Sequence, residues 1–404
     1  MRTINMKLNI IKKVFFLIGI ILLLSCQSYT DTLKIEIKSP VLPVLAGKEH
    51  NPVLKLQMVR SDSIEYIIQQ ITLSLEGTTD LNDISKVSLF ASGPDGSLSP
   101  EMLIEEVIPS NAVVTFASDI AVTVDTISLW VSVTLKEKVN LAHQIKASPT
   151  EVVTNKGKVR IPSGETTSLR VGVAVRKHGQ DGVHTSRIPG LATSKKGTLL
   201  AIYDARYDSS RDLQGHMDIG LSRSFDGGHT WEPIQVVLDM KEWGDMPEKY
   251  NGVSDACILV DDNTGDIYIA GLWMHGVLDH ETGKWVEGLT DDSTRWIHQW
   301  QAKGSQPGFG VKETAQFLIT KSSDDGHTWS EPINITSSKK REWWLFAPAP
   351  GHGITLSDGT LVFPTQGRDE NGIPFSNITW SQDGGKTWIT SNPAHTNTTE
   401  CMAV

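Results

Sequence analysis

The pattern Ser-x-Asp-x-Gly-x-x-Trp occurs three times in this chain, at Ser224–Trp231, Ser322–Trp329 and Ser381–Trp388. Its residue types predict a tight turn. Gly228, Gly326 and Gly385 suit a backbone angle that side chains avoid, and Asp226, Asp324 and Asp383 can accept hydrogen bonds from their own main chain. The closing Trp supplies the apolar mass that packs the turn onto a sheet. A repeated turn implies a repeated fold, and the sequence around it is self-similar. Gly190–Arg206 (GLATSKKGTLLAIYDAR) precedes the first copy, Cys257–Trp273 (CILVDDNTGDIYIAGLW) the second and Gly353–Gly367 (GITLSDGTLVFPTQG) the third. Each unit reads as two strands joined by a glycine turn, then a hairpin that carries the motif. Four short antiparallel strands in about 40 to 60 residues describe one blade of a β-propeller. Three blades are expected between 173 and 404, with a fourth beginning at Thr396, and little helix.

Residues 31–172 follow another pattern. Runs such as Leu33–Ile37, Ile71–Leu75 and Ile127–Val133 alternate apolar and polar side chains, which predicts a β-sandwich. Trp130 is the one tryptophan there; the others all follow position 230, so the first region lacks the aromatic platforms usual in sugar binding. A binding role and a structural role for it stay equally open. Before it, Arg2, Lys7, Lys12 and Lys13 lead into the apolar run Val14–Leu24, too short to span a bilayer and suited to an export signal. Leu23-Leu24-Ser25-Cys26 resembles a bacterial lipobox. Residues 1–25 are therefore expected to be removed and Cys26 lipidated, leaving an outer-membrane, cell-surface or periplasmic lipoprotein whose contact with the membrane is its lipid anchor. Losing those four cations makes a chain of net charge −10 more acidic still, which excludes nucleic-acid phosphates as a partner. Cys257 and Cys401 stand outside metal, redox or disulfide spacings, and the sequence shows no nucleotide-binding loop and no zinc pattern, so no cofactor or metal is expected.

In a propeller the innermost strands line the central axis, so residues at their starts converge on one face. That geometry picks out Arg187, Asp255 and Glu400. The three turns are Asp boxes, and with Ser186-Arg187-Ile188-Pro189-Gly190 the chain resembles the bacterial sialidases, a family with a six-bladed propeller. The resemblance implies that Arg187 is one of three arginines binding the substrate carboxylate, a task that suits a planar, permanently charged fork. It further implies Asp212, in the loop after Tyr203-Asp204-Ala205-Arg206, as general acid and base, and Arg206 as a contact to the sugar's ring substituents. Asp255 resembles the family's ligand-contacting aspartate, although Ala256 stands where proline is usual. Gln366 could bond a hydroxylated tail or be a satisfied core amide, and Trp273 could wall an N-acetyl pocket or be core.

Asn397-Thr398-Thr399-Glu400 resembles the segment whose glutamate activates a tyrosine nucleophile. A sialoside carries a carboxylate on its reacting carbon, so a neutral tyrosine avoids the repulsion an anionic nucleophile meets; sialidases are an exception to the usual pair of carboxylates. The resemblance implies an exo-α-sialidase acting with retention on sialylated glycoproteins, glycolipids or oligosaccharides. It also places the tyrosine and two arginines after this glutamate, so this 404-residue chain is expected to be C-terminally truncated and inactive by itself. Two other readings stand beside it: a non-catalytic Asp-box propeller that binds glycans or proteins, and a hydrolase of neutral polysaccharide with paired carboxylates. Arg187 together with Asp212 favours the sialidase. Arg160-Ile161-Pro162 repeats the arginine motif without a blade after it, and Asp261–Asp266 imitates a calcium loop but reads as a hairpin turn.

Overall fold

The computed structural model describes residues 29, 30, 32–162, 166–277, 279, 282, 284, 286–295 and 315–404. The leader and Cys26 lie outside the described residues. Strands and short 3-10 turns make up the regular structure, and no helix of the described residues is long and apolar enough to cross a membrane. Two compact units divide between Ala174 and Val175.

The first unit is a β-sandwich. One sheet runs Leu33–Lys38, Asn51–Arg60, Thr126–Leu135, Ile84–Ser92, Leu98–Val107; the facing sheet is centred on Tyr66–Ser74 and Ser148–Thr154. The alternation in the sequence becomes one apolar core, with Leu33, Ile35, Leu56, Ile71, Leu73, Leu129 and Val131 all buried. Trp130 is half-buried on the other face, its Nε1 donating to the Gly96 carbonyl at 3.1 Å. Arg160, the second Arg-Ile-Pro, follows the short strand Gly157–Val159 of this unit and is exposed.

The second unit is propeller-like, with three antiparallel sheets in chain order. The first blade is Thr185–Thr193, Leu199–Arg206, Met217–Ser224 and Gln235–Leu238. The second is Val253–Val260, Ile267–Met274, Ala315–Ser322 and Ile333–Asn334. The third has Leu345–Pro348 and Ile354–Thr355 as an interrupted inner strand, then Leu361–Arg368, Pro374–Ser381 and Ile389–Thr390. The second strand of each blade is eight residues long and buried over almost its whole length.

Each Asp box joins the third and fourth strands and is built alike. In the third, Asp383 accepts from the Thr387 amide at 2.9 Å and hydroxyl at 2.6 Å and from the Ser381 hydroxyl at 2.8 Å. The Ser381 hydroxyl accepts from the Gly385 amide at 2.9 Å, and Trp388 Nε1 donates to the Gly385 carbonyl at 3.1 Å. These bonds, the Thr387 hydroxyl first, hold Asp383 down at about 2, and the same set lowers Asp226 and Asp324 further. Gly228, Gly326 and Gly385 all have positive φ, as the sequence requires. Each of the later boxes docks on the blade before it. Asp325 of the second box accepts from Thr198 Oγ1 at 2.7 Å, and Gly384 of the third accepts from the Tyr268 hydroxyl at 2.9 Å. Asp261–Asp266 is a hairpin turn closed on itself, Asp261 accepting from the Asn263 amide at 2.9 Å and Thr264 Oγ1 at 2.8 Å.

Candidate active site

The inner strands of the first two blades carry the same irregularity. Pairing steps from Arg187↔Asp204 to Gly190↔Ile202 in the first and from Ser254↔Leu272 to Cys257↔Ala270 in the second, so each holds one extra residue opposite its neighbour. Such a bulge bends the strand and re-aims a side chain. At the bend Ile188 has φ 54° and Asp255 φ 59°, left-handed values that the β-branched Ile188 in particular rarely adopts. Glu400, after the third blade, has φ 51°. All three line one cavity of about 240 Å³, with Asp212, Leu345, Gln366, Gly367, Arg368 and Thr399.

Asp212 and Arg206 approach this cavity differently. Asp204 and Arg206 lie two apart on the second strand of the first blade and so share a face. Arg206 is 2% exposed; its Nη2 donates to Asp204 Oδ2 at 3.0 Å and Asp212 Oδ1 at 3.2 Å, and its Nη1 to the Ser210 carbonyl at 3.0 Å. Asp204 also accepts from Ser254 Oγ of the second blade at 2.6 Å. Burial pushes Asp204 up to about 6 against the pull of Ser254 and Arg206. Asp212 is 39% exposed, on the loop after the strand.

Asp255 is buried and pushed well above the usual carboxylate range, first by burial and then by Asp204, Asp212 and Glu400. Gln366 bridges the second blade and the segment after the third. Its Nε2 donates to Asp255 Oδ2 at 3.4 Å and the Pro348 carbonyl at 3.1 Å, while its Oε1 accepts from the Glu400 amide at 3.2 Å. Arg187 is exposed on the inner strand beside Asp204. Trp273 does not line the cavity: it is buried, edge-on to Trp243 with ring centroids 4.9 Å apart.

Residues 188–404 match the family model of the BNR repeat-like domain, slightly more than half of the chain, and residues 32–104 match the N-terminal domain of BNR-repeat neuraminidase. The chain belongs to the BNR-repeat sialidase family. A sialidase of Bacteroides fragilis is 42% identical over 68% of this chain and 47% of its own length. One from Paraclostridium sordellii is 30% identical over 51% of this chain and 46% of its own. The solved structure of Hadza microbial sialidase Hz136 is 34% identical, with TM-score 0.76 over 90% of this chain and 72% of that one. The chain thus spans about half the length of the curated relatives it matches.

For a chain of this sialidase family the sequence motifs bring Asp212, Asp255, Gln366 and Glu400 into one cavity and set Arg206 behind Asp212. Four participants escaped the sequence reading: Asp204, Ser254, Ile188 and Arg368. Two had a legible signal. Asp204 stands two residues before Arg206 on one strand, and Arg368 ends the second strand of the third blade as Arg206 ends that of the first. Outside the cavity, His216, Asp218 and Glu248 bring ligand atoms within 4.8 Å of one another. Burial, then Asp239, pushes Asp218 up to about 8.

Proposed function

We propose that this chain forms the amino-terminal domain and the carboxylate-binding and acid side of the active site of an exo-α-sialidase, which releases terminal sialic acid from glycoproteins, glycolipids or oligosaccharides. The observation that carries the reading is the cavity lined by Asp212, Asp255 and Glu400, with an exposed Arg187 one residue from its lining residue Ile188. Arg187 receives the substrate carboxylate as a fork. Asp212 protonates the departing glycosidic oxygen, and Glu400 takes the proton of a tyrosine that attacks the anomeric carbon. Water then releases the sugar with retention, Asp212 now acting as base. A six-bladed ring completes the site with that tyrosine and two further arginines. Export and lipidation at Cys26 place the enzyme in the cell envelope, and Cys26→Ala should move it out of the membrane fraction.

The test is release of free sialic acid from sialyllactose and from a fluorogenic sialoside by the product of the complete gene. Asp212→Ala should lose most turnover on sialyllactose, whose leaving group needs a proton, and retain more on the activated substrate. Retention of bound sialyllactose without release by the folded wild type would instead favour a glycan-binding propeller.

A further inference from the structure

We propose that Asp204, supported by Ser254, is a positioning residue that fixes the general acid Asp212 through Arg206. The proposal rests on Asp212 being the acid of a sialidase site. Loops carry mobile side chains, whereas a proton donor must be held within about half an ångström of its productive place. Here the loop is clamped from the strand beneath it. Arg206 grips it at two points, the Ser210 carbonyl at 3.0 Å and the Asp212 carboxylate at 3.2 Å. The grip needs its own anchor, because an arginine side chain has several rotatable bonds. Asp204 supplies it from two residues away on the same strand face, at 3.0 Å to the same Nη2 that reaches Asp212. Ser254 fixes Asp204 in turn at 2.6 Å, across the gap between the first two blades.

Burial supports a purpose beyond packing. Asp204 is 0% exposed and Arg206 2%, and Asp204 Oδ1 and Arg206 Nε are buried without a hydrogen-bond partner. A pair serving stability alone is readily replaced by apolar side chains of similar volume. The pair instead leaves two polar atoms unsatisfied while Arg206 bonds the acid loop at Ser210 and Asp212 and Asp204 holds Arg206. Asp204 also shares the guanidinium with Asp212, so Arg206 orients the acid without belonging to it alone.

The experiment compares Asp204→Asn, Ser254→Ala and Asp212→Asn with wild type in the complete gene product, on sialyllactose and on the fluorogenic sialoside. Asp204→Asn keeps shape and removes the charge; Ser254→Ala removes one hydrogen bond and should fold normally. Misplacing a reacting group by about 1 Å costs on the order of 100-fold. Asp204→Asn should therefore lower kcat/KM on sialyllactose about 100-fold, and on the activated substrate less than about 3-fold, with Ser254→Ala smaller in the same sense. A loss equal on both substrates, or no loss on either, overturns the proposal, because a merely structural residue does not distinguish leaving groups. If Asp212→Asn also fails to distinguish them, the assignment of the acid falls with it. If wild type releases no sialic acid, the sialidase reading falls instead.

Discussion

The Asp box of the third blade contains two adjacent glycines, and they should respond differently to the same methyl group. Gly384 has φ 71° and Gly385 φ 79°, so alanine at either meets the left-handed penalty, about 1–2 kcal/mol. Space separates them. A Cβ on Gly384 meets nothing within 4 Å, whereas one on Gly385 lands 2.5 Å from Tyr268 Cε1 and 3.1 Å from its Cζ. Tyr268 is buried beside Trp388 and donates to the Gly384 carbonyl at 2.9 Å, so it cannot swing aside without losing that bond. Overpacking of this kind costs about 1–3 kcal/mol and the bond about 1 kcal/mol more. Gly384→Ala should thus cost about 1–2 kcal/mol and Gly385→Ala about 3–6 kcal/mol. Calorimetry of the intact chain reads the difference. At about 2–4 °C per kcal/mol for a unit of this size, the Gly385→Ala transition should lie several degrees below that of Gly384→Ala. Equal melting of the two variants, or a lower value for Gly384→Ala, would refute the docking of the box on Tyr268.

Asp218 and the Asp boxes set opposite slopes of stability against pH. Asp218, ordinarily at 3.8 and here at about 8, binds its proton more tightly when folded, so its contribution is full below pH 4 and is lost as pH rises towards 8. Urea unfolding of Asp218→Asn should show a gain over wild type that grows from pH 5 to pH 8; a constant difference would contradict the raised value. Asp383 works the other way. Held at about 2, it stabilises the fold above pH 3.8, and that contribution disappears as pH falls through 2. Asp383→Asn should therefore narrow its deficit against wild type between pH 4 and 2 in the same titration. Arg187 is exposed, so Arg187→Lys should leave melting within about 0.5 kcal/mol of wild type. The same change should weaken sialyllactose binding at least about 10-fold by calorimetry of an otherwise intact but acid-disabled enzyme, since a lysine cannot form the paired contact.

The repeat made most of the fold legible. A Ser, an Asp, a Gly and a Trp at fixed offsets specify a turn closed by bonds among themselves, and a closed local motif can be read without knowing the rest of the chain. The sandwich was legible for a similar reason, since alternation maps directly onto two faces of a sheet. The site was legible where a motif named one residue, as with Asp212, Asp255 and Glu400, which line one cavity. It was less so where a residue's meaning depends on a partner far along the chain. Ser254 looks like an ordinary strand serine until its hydroxyl is seen 2.6 Å from Asp204, fifty residues earlier. Trp273 could be read as pocket wall or core, and only its packing against Trp243 and the apolar side chains of the first blade puts it in the core. Gln366 could likewise have been a binding or a core amide; it bonds Asp255, the Pro348 carbonyl and the Glu400 amide and also stands at the cavity wall.

The left-handed residues explain how one scaffold collects unlike chemistries at a single point. Residues at the same register of successive inner strands face the same axis, so a repeat alone would present the same surface several times. The bulge adds one residue and turns the backbone at Ile188 and Asp255, and Glu400 has the same left-handed backbone. The side chains placed there differ: apolar on the first blade, a buried carboxyl on the second, and a glutamate in the segment after the third. Strain of about 1–3 kcal/mol at each such residue persists only where surrounding structure over-determines it, and the buried second strands alongside the first two supply that constraint. Glycine would relieve the strain at Asp255 and at Glu400 while deleting the carboxyl. The backbone conformation and the carboxylates thus occur together, which is the arrangement expected of a site that the repeat positions and the individual blades specialise.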